Sequence, residues 1–390
     1  MSTTIYTTEK QKQFTLFGNF GEKSPEEKFL KLISGAYKER GETLKALSNI
    51  NWDFKDFTTQ YLSHKFHSYP ARFIPQIPLS FIRLFTKEGD IVLDPMCGCG
   101  TTLVEAFLNN RDSIGNDFNP LATLISKVKT TLISDLEFRY FERKFAKVKR
   151  YLDLDYRHVE ERANNLPNRT VSKIFNKAVI GKLEAIRETI LEIRNEGHND
   201  LYDLGRVAFS AVIWSLVENG NGIDIENSFG KKVQAMKKEI LEMRRIVSKP
   251  ARVEIMKGDA RKLQVKNDSV DLIVTSPPYV NALDYYRVHM YNMLWLGMDF
   301  DLFRKHEIGG HSHFIMNRFR LLSEYLGDML RSIIEMNRVL KKGKICAIVI
   351  GNSSLEYELI ESHKYFSAFT TDIGFKHVKT IFRNIDKTRK

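Results

Sequence analysis

Three short stretches of this 390-residue chain hold residues whose types and spacing suit chemistry. The first is Asp94-Pro95-Met96-Cys97-Gly98-Cys99-Gly100-Thr101-Thr102. Gly98 and Gly100 let the backbone approach a ligand where a Cβ would intrude. Asp94 follows the apolar run Ile91-Val92-Leu93. A carboxylate at the carboxyl end of a buried strand is placed to hold the ammonium of an amino acid. Standing alone, a Gly-x-Gly turn reads equally well as a tight strand-to-helix connection with no ligand. The second feature shifts that balance. Asp117 ends the next short strand nineteen residues beyond Gly98, a spacing that suits hydrogen bonds to ribose hydroxyls. Asp259 closes a third strand begun at Val253 and can accept from an adenine amino group. Any one acid could be a helix cap or a surface residue; three at successive strand ends are harder to dismiss.

The third stretch, Ser276-Pro277-Pro278-Tyr279, follows the apolar run Val270 to Val274 directly. Two prolines fix φ and remove two backbone N–H groups, which leaves carbonyls to accept from a donor held against the loop. The amino group of a nucleobase is such a donor. Its lone pair is delocalised into the ring, so it is a poor nucleophile. Accepting its protons on the Ser276 hydroxyl and a loop carbonyl concentrates electron density on nitrogen. Tyr279 offers a flat surface for a base turned out of a duplex.

These residues need elements that bring strand ends together. The order is strand, glycine turn, helix from Leu103, strand at Ser113-Ile114-Gly115, acid: the first half of a nucleotide-binding parallel sheet. Apolar residues then recur at helical spacing, at Leu183, Ile186, Ile190 and Ile193, and at Met236, Ile240 and Met243. Leu204 to Val217 reads as a buried helix. The α/β rhythm resumes at Val253, a helix is expected from about Tyr325 to Leu340, and Ile345 to Ile350 reads as a buried strand. Gly374 to Ile381 is expected to form a final antiparallel strand. The predicted organisation is an N-terminal arm of short helices over 1–60, such as Glu26 to Ala36, a first catalytic part over 61–131, a helical insertion over 132–249 and a second catalytic part over 250–390.

Composition sets the class. Lys and Arg total 60 against 48 Asp and Glu, a net charge of +12, which favours a polyanionic partner although charge alone decides little. Lys231, Lys232, Lys237, Lys238, Arg244 and Arg245 give one helix a basic face, either solvated or set against phosphates. Three cysteines argue against a disulfide scaffold, and a reducing cytoplasm fits. Residues Met1 to Phe14 lack the apolar stretch of a signal peptide, and no apolar run approaches membrane-spanning length. His64 and His67 have no partners at metal-ligand spacing, so packing is expected and no metal. No Pro-Cys dipeptide occurs, which counts against methylation at cytosine carbon 5 through a thiolate. Gly309-Gly310-His311-Ser312-His313 reads as a polar loop.

The chain resembles the amino-methylating DNA methyltransferases. Asp94 to Thr102 is similar to that family's cofactor loop, and Thr275 to Tyr279 to its catalytic loop in the Ser-Pro-Pro-Tyr form usual for cytosine-N4 enzymes. Adenine-N6 enzymes more often carry Asp or Asn in the Ser276 position. His64 to Pro75 resembles the segment that packs on the methionine part of the cofactor, and Asn116 to Ala122 the ribose-binding segment. Met96 departs from a frequent Phe, and Cys99 from a common Ser. The resemblance covers about Tyr61 to Val128 and Val253 onward. It implies a Rossmann-like α/β sheet with a mainly helical insertion. It also implies S-adenosylmethionine held by Tyr69, Ala71, Arg72, Phe73, Asp94 to Gly98, Gly100 to Thr102, Asp117, Phe118, Asp259 and Ala260. Ser276, Pro277, Pro278 and Tyr279 would act on the N4 amino group of cytosine flipped from double-stranded DNA, in partnership with a restriction endonuclease for the same site. Adenine N6, an RNA base, or a non-catalytic nucleic-acid-binding subunit are the alternatives.

Overall fold

Five strands form one parallel sheet, and their sequences show why they lie where they do. They are β1 (Ile91–Asp94), β2 (Asp112–Asp117), β3 (Val253–Lys257), β4 (Val270–Thr275) and β5 (Leu340–Ile348), in the spatial order β3-β2-β1-β4-β5. In this computed structural model the described residues are 5–8, 11–14, 25–35, 40–154, 173–220, 222–280, 283–309, 318–355 and 358–384. β4 is buried at every position, as an interior strand covered on both faces must be, and so it reads as a continuous apolar run. Its one charge, Asp271, is neutralised by Lys341 Nζ at 2.8 Å and Lys344 Nζ at 3.0 Å. β3 and β5 are the edges and alternate more loosely.

The chain runs outward from β1 through β2 to β3, then returns to β4 on the other side of β1. The strand order therefore reverses between β1 and β4, the place where open α/β sheets form a crevice at their carboxyl ends. The loops after β1 and β4 meet there.

The first sixty residues are less of an arm than expected. Helices α1 (Pro25–Ile33) and α2 (Arg40–Ser48) pack with Trp52 and Phe54 beneath α3 (Gln76–Phe85) in one apolar cluster. The edge-on rings of Phe29 and Phe54, 5.2 Å apart, fix that contact. A short hairpin, Ile5–Thr8 with Gln11–Phe14, precedes it. Helices α4 (Thr101–Leu108) and α5 (Pro120–Lys129) follow β1 and β2, and α5 is capped by Asn119 Oδ1 accepting from Leu121 N at 2.9 Å.

Four helices make the insertion: α6 (Asp135–Leu154), α7 (Lys177–Asn195), α8 (Asn199–Asn219) and α9 (Ile225–Ile246). The predicted apolar stripes face inward, with Leu183, Ile190, Met236 and Ile240 buried. That core is continuous with α5 and with α11 (Met290–Trp295) and α12 (Phe300–His306), which follow the short α10 (Tyr285–Val288). The insertion is thus anchored to the segment after the β4 loop. Asn292 Nδ2 donates to Ser210 O at 2.7 Å across this junction.

Helix α13 (Arg318–Val339) leads into β5, and α14 (Ser362–Ile373) follows a small hairpin. The expected antiparallel strand over Gly374 to Ile381 does not form: the segment pairs with no strand. It is drawn elsewhere. Phe375 packs against the cluster of Met336 and Val339, Ile381 joins the α1–α2 cluster, and Asn384 N donates to Asp53 Oδ1 at 2.7 Å. No described helix is long and apolar enough to cross a membrane.

Candidate functional site

The turn after β1 is held by its neighbours before any ligand enters. Gly98 and Gly100 have φ of 49° and 80°, a region where a Cβ is strained. At Gly100 a Cβ would also stand 2.7 Å from Ser126 Oγ, while that hydroxyl donates to Gly98 O at 2.9 Å. Asp117 reaches across from β2 and accepts from Gly98 N at 2.8 Å on one oxygen and from Asn119 N at 2.8 Å on the other. Burial pushes its carboxyl up to about 6, against the pull of those two amides. Asn116 Nδ2 donates to Pro95 O at 3.0 Å and to Gly258 O at 3.1 Å. One amide so ties the carboxyl ends of β1, β2 and β3, a role that spacing gave no means of assigning.

These loops line a cavity whose wall includes Tyr69, Ala71, Arg72 and Phe73 from the segment before α3. Pro95 to Cys99 with Thr101, Asn116 to Asn119, and Gly258 to Ala260 continue it, and Ser276 and Pro278 close one side. Most of the sequence-predicted residues are therefore brought together. Asp94, Gly100 and Thr102 are not on the wall. Asp94 is fully buried: Oδ2 accepts from Thr102 Oγ1 at 2.8 Å and Oδ1 from Met96 N at 3.3 Å, and burial pushes its carboxyl up to about 7. The expected ammonium contact is thus replaced by a role inside the turn. Asp259 lines the cavity with both oxygens already bonded to Arg261 Nε, at 2.9 and 3.0 Å. Burial opposes ionisation there, but Arg261 wins and holds the carboxyl below its usual range.

The loop after β4 splits its residues between two spaces. Pro278 O already accepts from Tyr325 Oη at 3.0 Å, so the carbonyl that could face a ligand is an earlier one. Pro277 is buried and does not line the cavity. Tyr279 packs on Gly351, where a Cβ would stand 2.9 Å from its ring, and borders a wide cleft shared with Arg72, Trp214 and Asn352.

Five wall residues have no motif: Tyr285, Phe303, His306, Glu307 and Ile308. Packing of α12 brings them in. His306 stacks on Phe118 at 4.9 Å and 21°, and Tyr285 on Tyr69 at 5.9 Å and 26°. His289 lies against Tyr69 at 4.8 Å. Glu307 Oε1 accepts from Tyr285 N at 2.7 Å, and Oε2 is buried without a hydrogen-bond partner. His64 and His67 are packed as expected, on Glu105 Oε1 at 2.8 Å and Ser210 Oγ at 2.9 Å. In α9, Lys237 pairs with Glu142 at 2.9 Å, whereas Lys231, Lys238 and Arg244 are exposed. The polar loop expected at Gly309 to His313 lies, after Gly309, outside the described residues.

A family model described as a DNA methylase matches residues 3–127, and one described as an RMKL-like methyltransferase domain matches residues 67–189. The type II methyltransferase M.MvaI of Kocuria varians is 24% identical over 412 residues, spanning 86% of this chain and 87% of that protein. The type II methyltransferase M.BsoBI of Geobacillus stearothermophilus is 22% identical over 329 residues, spanning 75% of this chain and 63% of that protein. A tRNA (guanine(10)-N2)-dimethyltransferase of Methanocaldococcus jannaschii is 35% identical over 141 residues, 34% of this chain and 37% of its own length. With the parallel sheet and its crevice, these matches make the chain similar to DNA methyltransferases of the restriction-modification type and support that reading of it.

Proposed function

We propose that the chain moves a methyl group from S-adenosylmethionine to the N4 amino group of cytosine in double-stranded DNA. One observation carries this reading: Ser276 and Pro278 share a wall with Gly98, Asp117 and Ala260 at the point where the strand order reverses. A donor-binding loop and an amino-accepting loop therefore open on one space. The wall suits this cofactor in kind. Phe118 and Ile308 offer apolar surface for a purine, and the unpartnered Glu307 oxygen suits a ligand that carries positive charge.

When bound, S-adenosylmethionine supplies an electrophilic methyl group on a positively charged sulfur. Asp117, still able to accept on its remaining lone pairs, would take the ribose hydroxyls, and the Asp259–Ala260 loop the adenine edge. Met96, Tyr69, Ala71, Arg72 and Phe73 would pack along the methionine part. Asp94, Gly100 and Thr102 act at one remove by holding the turn. Ser276 accepts a proton of the base's amino group together with a loop carbonyl, and so steers the nitrogen lone pair. Tyr279 borders the cleft through which a flipped base would arrive, and stacks on it. Pro277 and Pro278 keep the loop rigid, so that positioning supplies much of the rate.

The helices over 132–249 would read the duplex, with Lys231, Lys238 and Arg244 meeting phosphates. The biological setting is cytoplasmic protection of DNA from a restriction endonuclease that cuts the same site. The test is transfer of a labelled methyl group by wild type and Ser276→Ala, with cofactor affinity measured by calorimetry in parallel. The variant should bind the cofactor normally and lose turnover. Undiminished transfer by the variant would remove Ser276 from the mechanism.

A further inference from the structure

Hydrogen-bonding capacity is unequally spent among the carboxylates at this crevice. Asp94 uses both oxygens on Met96 and Thr102, Asp117 both on Gly98 and Asn119, and Asp259 both on Arg261. Glu307 differs. Oε1 is engaged by Tyr285 N at 2.7 Å, and Oε2 of this cavity-lining residue is buried with no hydrogen-bond partner. Its neighbours in sequence span the cavity. His306 stacks on Phe118, Ile308 packs in the cluster that also takes Met96, and a Cβ on Gly309 would stand 3.5 Å from Tyr279 O. Glu307 therefore sits between the Phe118 end and the Ser276–Tyr279 loop. A buried carboxylate oxygen without a donor is costly unless a cation or a proton meets it.

We propose that Glu307 is the counter-ion for the positive charge of the methyl donor, and that it lets the site hold the sulfonium substrate in preference to the neutral thioether product. The proposal rests on the methyl-transfer reading above. In that reaction the methyl carbon–sulfur bond breaks and its electron pair stays on sulfur. The carbon–nitrogen bond forms from the amino lone pair, and the nitrogen then gives up a proton to solvent. Sulfur ends neutral, so the attraction to Glu307 ends with the reaction and product is released more readily.

Titration supports the same reading. Burial pushes the Glu307 carboxyl up to about 8; the Tyr285 and Tyr286 amides oppose this, while Asp284 before α10 and Asp117 at the end of β2 reinforce it. Tyr285 and His306 are its other titratable neighbours, and no cation pairs with it among the described residues. At pH 7 the free protein therefore keeps Glu307 mainly protonated. A sulfonium displaces that proton, and a thioether leaves it in place.

Calorimetry of S-adenosylmethionine and S-adenosylhomocysteine binding tests this directly, with full-length wild type and Glu307→Gln at pH 7 in two buffers of different ionisation enthalpy. Glutamine keeps the volume and the acceptor for Tyr285 N. Glu307→Gln should weaken S-adenosylmethionine binding roughly tenfold or more while changing S-adenosylhomocysteine binding little. Wild type should release up to about one proton with the former and far less with the latter. Equal weakening for both ligands would assign Glu307 to a group they share and overturn the proposal, as would unchanged affinity for both. If Glu307→Gln fails to melt cooperatively, Glu307→Asp and the wild-type proton counts decide the same question. Wild type that binds neither ligand would instead overturn the methyl-transfer reading.

Discussion

Two walls of the same cavity treat their polar groups differently. On the strand-end wall, Asn116 and Asp117 spend their hydrogen-bonding groups on neighbouring loops, and Asp94 does the same from inside the turn. On the facing wall, from α10 to α12, Glu307 leaves an oxygen unpartnered, and both ring nitrogens of the fully buried His289, packed on Tyr69, have no hydrogen-bond partner. Burial pushes the His289 imidazole down to about 3, so it stays neutral. The carboxylates of the first wall are all engaged before a ligand arrives, which is what preorganisation means in physical terms, although Asn119 Nδ2 there is buried without a partner. The second is finished by what it binds. A substitution in the first wall should therefore act on stability as well as binding, and one in the second mainly on binding and pH response.

The largest effect expected is on turnover. Ser276→Ala, at the meeting of the walls, should cut the methyl-transfer rate by roughly 10²–10³-fold, the usual effect of removing one positioned polar group. Gly100→Ala tests the strand-end wall. A left-handed φ and a Cβ 2.7 Å from Ser126 Oγ should cost about 1–3 kcal/mol of stability in thermal or urea unfolding. A neutral result would mean that the turn is less tightly held than its contacts indicate.

These two substitutions also separate what could be read from the chain from what could not. The Gly98–Gly100 turn, Asp117 and Ser276 were legible because buried parallel strands are apolar runs, and chemistry collects at their carboxyl ends. The amphipathic stripes at Leu183 to Ile193 and Met236 to Met243 likewise gave the helices of the insertion. Glu307 and His306 were not legible, since only the packing of α12 against α10 and α11 brings His306 onto Phe118 with Glu307 beside it. Nor could the sequence tell that Asp94 serves Thr102 and Met96 rather than the cavity, because that depends on which oxygen points where. The tail misled for a similar reason: its alternating residues suit a strand, but Phe375 and Ile381 find apolar partners away from the sheet.

A smaller effect concerns pH. The Glu307 carboxyl is raised in the folded state, so its contribution to stability is present below the unfolded value and is lost as pH rises through about 8. Glu307→Gln without ligand should thus melt above wild type at pH 8.5, with the difference vanishing toward pH 4. A difference that stayed constant across that range would show that the carboxyl titrates normally. Smallest should be Lys238→Ala on the exposed face of α9. It should weaken DNA binding uniformly across sequences and lower the slope of log K against log salt by about 1. An unchanged slope would leave that face to solvent.

The most direct measurement of the central claim is transfer of a labelled methyl group from S-adenosylmethionine into mixed-sequence duplex DNA, followed by digestion and nucleoside mass spectrometry. The account predicts label in N4-methylcytosine, abolished by Ser276→Ala. Label in N6-methyladenine would contradict the reading of Ser276 as a cytosine determinant, and no transfer to duplex DNA by a protein that binds the cofactor would contradict the account as a whole.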